Sequence, residues 1–245
     1  MNLYEVRDMM FGRGVHRSEV FTDIICDGAL MTLEAQTQFT KDHAGYGRYQ
    51  FSMADGVIQF GTKEEWKYRF QCLGSTGPGP RTWLWQWANR EGFNTNILEA
   101  ADAVRAFGER YQVPELTTAE WPFDDDDKLG LNVGYPMSIA GALVARNWFV
   151  FPGEFGGGSR AWLLIEGVQL SPPSTIRTMQ VITEGLATGV IRDHQRAVSS
   201  YAALRGLGWD GNVLTLPDGT ITIQFDEHHR LTNLTASRSP DPGAD

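Results

Sequence analysis

The chain has little basic charge, almost no cysteine, no long apolar run and none of the short motifs that announce a reaction. Lys and Arg number 21 against 30 Asp and Glu, a net charge of -9 over 245 residues. Binding to a nucleic-acid backbone needs a basic face, so nucleic acid is not an expected partner and a basic protein is. The two cysteines, Cys26 and Cys72, lie far apart and suit reduced core thiols better than a disulfide framework. No stretch approaches the roughly 18 apolar residues that a membrane span requires. The opening M-N-L-Y-E-V-R-D-M-M-F carries Glu5, Arg7 and Asp8, charges that a signal peptide's apolar segment excludes. A cytoplasmic protein without membrane contact is the expectation. No G-x-S-x-G, H-E-x-x-H or C-x-x-C occurs, and Gly12 and Gly14 lack the third glycine or the Lys-Ser/Thr of a phosphate loop. No cofactor is expected, and the absence of a local catalytic motif weighs against an enzyme.

What the chain does have is T-W-L-W-Q-W-A-N at 82–89. In an extended segment alternate side chains share a face, so Trp83, Trp85 and Trp87 would line one side. Each indole buries on the order of 200 Å². This predicts a central aromatic strand with helices laid on it.

Around it the chain reads as α+β. Residues 18–42 hold Val20, Phe21, Ile24, Ile25, Leu30, Leu33 and Phe39 at helical spacing, with Ser18 or Asp27 as caps and a break expected at Asp27-Gly28. Tyr49, Phe51 and Met53 alternate with polar residues, Asp55-Gly56 turns the chain, and 57–60 returns as a hairpin. A strand over 66–73, a loop at 74–80 and the tryptophan strand complete an antiparallel meander of about four strands. Asn96 is expected to cap a helix striped by Ile97, Ala100, Ala101, Val104, Phe107, Gly108 and Tyr111, stopped by Pro114. Residues 116–128, with the run Asp124-Asp125-Asp126-Asp127, read as an exposed loop. A small-residue helix over 135–146 and a hairpin of 148–151 with 161–165 follow. After Ser171 come Pro172-Pro173, two helices (175–186 and 192–204) and a hairpin around Pro217-Asp218-Gly219, with a further strand at Leu231 and Leu234. The expected division is a core domain at 18–170, a helical plus hairpin extension packed on it at 171–236, and a disordered tail at 237–245.

The order L-E-A-Q, Leu73-Gly74-Ser75, T-W-L-W-Q-W-A-N, A-D-A-V-R-A-F-G-E and Glu115-Leu116-Thr117 resembles a family of uncharacterised bacterial, mostly actinobacterial, domains over roughly 33–167. The resemblance implies a shared fold and a cytosolic, bacterial origin, with no catalytic residue to carry over. The order of elements is also similar to that of secretion-chaperone-like proteins, an analogy of topology alone.

Three clusters invite a functional reading. Trp83, Trp85 and Trp87, with Asn89 and Arg90 and then Glu91 at the strand end, are the candidate binding surface; burial of the indoles in the core, with a turn at 89–91, is the reading that the sequence favours over it. The acidic run has oxygen ligands but not the spacing of a calcium loop, which leaves a solvated loop. Asp226, His228 and His229 have ligand chemistry, yet adjacent histidines in a strand would point to opposite faces and no third ligand is spaced nearby, so a polar hairpin turn over 226–230 is expected and no metal. His16, His43 and His194 are expected at the surface. The leading functional expectation is a non-enzymatic protein-binding module, chaperone-like or immunity-type. Its rival is a hydrolase or small-ligand sensor with a pocket between the sheet and the C-terminal extension.

Overall fold

The computed structural model describes residues 17–90, 92–123 and 127–238. The lead-in through His16, Glu91, Asp124–Asp126 and the tail 239–245 lie outside the described residues. The element on which the rest is assembled is a helix rather than the tryptophan strand. Helix α1 (Glu19–Asp42) buries 15 of its 24 residues. Ser18 caps it, accepting from Phe21 N–H at 3.2 Å, and donates its own N–H and O–H to the Glu115 carboxylate. The expected break at Asp27-Gly28 does not occur. A Cβ on Gly28 would stand 3.0 Å from Ile139 Cγ2 and 3.1 Å from Ile139 O, so this glycine lets a second helix cross close by. Asp27 does not cap: its carboxylate takes Arg196 Nε at 2.8 Å and Nη2 at 2.6 Å.

The main sheet has seven strands: β1 (Tyr49–Ser52), β2 (Val57–Phe60), β3 (Lys67–Gly77), β4 (Thr82–Trp85), β5 (Glu120–Pro122), β6 (Val150–Gly156) and β7 (Ser159–Ile165). The meander β1-β2-β3-β4 forms, but its centre is β3, which pairs with β2, β4 and β7. Strand β3 extends through the expected loop as far as Gly77, and the turn is confined to 78–81. Part of the 116–128 segment also departs from expectation. Residues Glu120–Pro122 pair with β4, Trp121 opposite Trp83. Proline is tolerated there because β5 is an edge strand.

Helix α2 (Glu99–Tyr111) buries Ala100, Ala101, Val104 and Gly108; Tyr111 of the expected stripe is half exposed. Asn96 is not its cap, since Asn94 accepts from Asn96 N–H in a 3-10 turn before the helix. A short turn α3 (Pro114–Thr117) begins at Pro114. Helix α4 (Leu131–Ala145), α5 (Thr175–Ala187) and α6 (His194–Arg205) follow, then a four-stranded antiparallel sheet in the order β11-β10-β9-β8. Its strands are β8 (Gly208–Trp209), β9 (Val213–Leu216), β10 (Gly219–Phe225) and β11 (Leu231–Arg238).

The main sheet is apolar on both faces, and each face has its own cover. Leu73, Trp83, Trp85, Val150, Trp162 and Leu164 join a core with α1 and α4 that continues to Val181, Ile182, Val198 and Tyr201 of α5 and α6. On the other face Phe70, Cys72, Phe149, Phe151, Leu163 and Ile165 meet Ile58 and Phe60, because the β1–β2 hairpin folds back over them. Tyr49 stands edge-on to Phe151 at 4.7 Å, and its hydroxyl accepts Glu154 N–H at 2.8 Å. The sheet therefore curls until β1 lies beside β6. No described helix is long and apolar enough to cross a membrane.

Candidate binding site

The tryptophans sit on the helix-covered face. Strand β4 stops at Trp85 and Gln86–Ala88 turns as a 3-10 helix, so Trp87 leaves the expected three-residue alternation. Trp83 and Trp85 are fully buried, edge to face at 4.9 Å, and Trp87 is 7% exposed. Trp85 Nε1 donates to Glu115 O at 2.9 Å. Arg105 lies over the Trp87 ring at 4.7 Å. Arg90 is exposed and paired with Asp102, a surface contact of small energetic weight. Of the five expected binding residues, Asn89 lines a pocket.

That pocket opens at the mouth of the curl, between the β1–β2 hairpin and the inner face of the main sheet. Phe51, Met53, Ser75, Gln86, Asn89, Phe93, Phe155 and Ala161 enclose about 270 Å³. Ser75 and Ala161 face each other on β3 and β7, and two such small side chains leave the floor open. Phe51 lies against Gly153, where a Cβ would stand 2.9 Å from its ring. Phe155 is 57% exposed at the rim, and Gly156, Gly157 and Gly158 after it all take the left-handed φ that this tight tip requires. Beneath the pocket the Cys72 thiol donates to Gln86 Oε1 at 3.3 Å, while Gln86 Nε2 donates to Asn89 O.

The lining offers an apolar group a neutral, largely aromatic surface. Among the described residues lining the pocket none is ionisable. Burial pushes the Cys72 thiol up to about 12, so it remains protonated and is no nucleophile. Burial raises Cys26 as well. A cavity of about 150 Å³ accommodates benzene, so the space here admits an aromatic ring. A larger cleft of about 600 Å³, bordered by Gln71, Glu99, Arg146, Trp148 and Glu166, is mainly polar. Its Gln71 amide is already bonded to Asn96 O, Glu166 and Ala100 N–H.

The remaining sequence candidates have structural work to do. Asp226 closes the β10–β11 turn, accepting His228 N–H and Arg230 N–H at 2.9 Å each. His228 and His229 therefore lie in the hairpin turn expected for 226–230, and His229 Nδ1 is 3.0 Å from Asp193 Oδ2. Among the described residues no cluster of three or more His, Cys, Asp or Glu could hold a metal. His43 is buried rather than on the surface. It stacks on Phe39 at 3.8 Å, Nδ1 donates to Phe39 O, and Nε2 accepts from the Tyr68 hydroxyl at 2.7 Å. Burial lowers its pKa, in keeping with that neutral tautomer. His194 is half buried and accepts Leu231 N–H.

Asp127 is only 4% exposed, contrary to the expected solvated loop. Its carboxylate accepts the N–H groups of Leu131, Asn132 and Val133, the orphan donors at the start of α4. Asp127→Ala should cost about 1 kcal/mol, measured by denaturant unfolding. Enteropeptidase reads an extended Asp-Asp-Asp-Asp-Lys segment, so the native protein should resist cleavage after Lys128 and the unfolded chain should not. Rapid cutting of the native protein there would show that Asp127 does not hold the helix end.

Fold and site together define an α+β protein with a neutral, apolar pocket at the mouth of a curled antiparallel sheet. A model described as a family of unknown function (DUF6882) matches residues 22–168, more than half of the chain, and the chain belongs to that family. The pocket lies wholly within the matched residues, whereas α5, α6 and the second sheet lie outside them. No curated protein and no solved structure matches the chain. Neither pocket nor curl was visible in the sequence, because both depend on pairing between β3 and β7, about ninety residues apart.

Proposed function

We infer that this is a non-enzymatic binding module, which takes one apolar side chain of a partner polypeptide into the pocket between the β1–β2 hairpin and the main sheet. The observation that carries this is the lining: aromatic and neutral, with Phe155 exposed at its rim. An aromatic anchor in a desolvated pocket is the usual centre of a protein interface. The net charge of -9 favours a basic partner through long-range attraction. Two buried, unpaired thiols support a reducing compartment, and with the family resemblance they favour a cytoplasmic bacterial protein. The second reading, a small-ligand sensor, draws on the pocket's size, which fits one ring.

Phe155→Ser separates these readings from a purely structural role, since an exposed side chain can be changed without disturbing the fold. The partner recovered with the wild-type protein from its own cells should bind the variant at least about thirtyfold more weakly, at an unchanged melting temperature. If no partner is lost and small aromatic molecules raise the melting temperature, the sensor reading replaces it. If neither happens, the pocket has no binding role.

A further inference from the structure

The aromatic pocket also contains polar groups that the chain does not use. Ser75 Oγ and the Asn89 amide both line it, and neither side chain has a hydrogen-bond partner among the described residues. Each is nevertheless held in place. Ser75 is fixed in β3 between Leu84 of β4 and Ala161 of β7. Its neighbour Thr76 faces the helix-covered side, where Oγ1 accepts from Trp162 Nε1, so Ser75 faces the inner side. Asn89 is fixed through its backbone: its N–H donates to Gln86 O at 3.1 Å, and its carbonyl accepts from Gln86 Nε2. Gln86 in turn accepts the Cys72 thiol, a donor that burial keeps protonated. The bonds from Cys72 to Gln86 to Asn89 settle the loop after β4 and leave the Asn89 amide unspent.

The rest of the lining narrows the class of occupant. Phe51, Phe93 and Phe155 offer rings and Met53 a thioether, all favourable neighbours of an aromatic ring. The volume of about 270 Å³ holds one substituted ring, since about 150 Å³ already holds benzene. A charged head would enter without a counter-ion, because none of the described lining residues is ionisable. A bare hydrocarbon ring would cover Ser75 and Asn89 and leave them dry and unpaired, which costs affinity. A hydroxyl both donates and accepts and so can serve both side chains, whereas an indole N–H only donates.

On the binding-module reading, on which this inference rests, we propose that the side chain taken into the pocket is a tyrosine. Its ring lies among Phe51, Phe93 and Phe155, and its neutral hydroxyl bonds to Ser75 Oγ and the Asn89 amide. Discrimination against phenylalanine then comes from two polar groups left unpaired rather than from shape.

The test uses the full chain and three uncharged probes in calorimetric titration: 4-methylphenol for the tyrosine side chain, toluene for phenylalanine and 3-methylindole for tryptophan. 4-Methylphenol should bind one-to-one and about tenfold or more tighter than toluene, tenfold being the worth of one hydrogen bond to a neutral group, and tighter than 3-methylindole. Ser75→Ala and Asn89→Ala should each weaken 4-methylphenol severalfold, and the double variant should bind it no better than toluene. Toluene binding and the melting temperature should be the same in all four proteins; if a variant melts early, the wild-type ratios decide. Toluene binding as tightly as 4-methylphenol, 3-methylindole binding more tightly than either, or a preference that survives in the double variant would overturn the tyrosine assignment while the apolar pocket stands. Binding of none of the three probes would remove the pocket as a site, and the binding-module reading with it.

Discussion

Replacing Trp85 with alanine should destabilise the protein by about 3–5 kcal/mol, the range for removing a large aromatic side chain from a closed core. Trp85 is fully buried, packs edge-on against Trp83, and spends its only polar atom on Glu115 O. The loss has two parts, a cavity beneath α1 and a buried carbonyl deprived of its donor, and these add. The second part also weakens a chain of contacts, because the Glu115 carboxylate receives the N–H and hydroxyl of Ser18 at the start of α1. Since domains of this size are stable by about 5–15 kcal/mol, the variant should melt far below the parent, or fail to accumulate. Trp85→Phe fills most of the cavity but restores no donor, and should recover only part of the loss. A Trp85→Ala protein that melts like the parent but no longer binds its partner would return the indole to the role of a ligand platform.

The fold was legible wherever a local signal decided it. Asp55-Gly56 between alternating runs marks the first hairpin, although the pairing of Ser52 with Val57 closes a four-residue loop, 53–56, rather than a two-residue turn. The tryptophans were recognisable as buried bulk, although the end of β4 at Trp85 was not, because nothing in Gln86-Trp87-Ala88 punctuates a strand. Gly28 misled in the opposite sense. Its side-chain absence serves packing between α1 and α4, which reads in a sequence like a helix stop. Strand β5 escaped notice because Glu120-Trp121-Pro122 is three residues long and contains proline. The site was less legible than the fold. Phe51, Ser75, Phe93 and Ala161 are ordinary residues that the curl of the sheet brings to one mouth.

The second large effect is expected at Gly134, where two opposing terms can be weighed. In the interior of a helix, alanine is better than glycine by about 1 kcal/mol, so on propensity alone Gly134→Ala should stabilise α4. Packing points the other way. A Cβ at 134 would overlap Cζ2 and Cε2 of Trp162. A flexible surface side chain would yield, but this ring cannot. Trp162 is fully buried, stands edge-on to Tyr135 at 4.9 Å, lies 5.9 Å from Trp83, and donates from Nε1 to Thr76 Oγ1 at 3.1 Å. Moving it strains those rings and endangers a buried hydrogen bond, while leaving it in place forces α4 away from the sheet. Overpacking of this kind costs about 1–3 kcal/mol and more where the neighbour is boxed in, so a net loss of about 2 kcal/mol is expected. Gly79→Ala is the matched control. It lies in the 78–81 turn, where an added Cβ meets nothing within 4 Å, and the change should be neutral or slightly stabilising through the unfolded chain. Denaturant unfolding of the two variants beside the parent reads the difference directly. If Gly134→Ala proved as stable as the parent, helix propensity would have won, and α4 would not be seated on the Trp162 ring as closely as the structure has it.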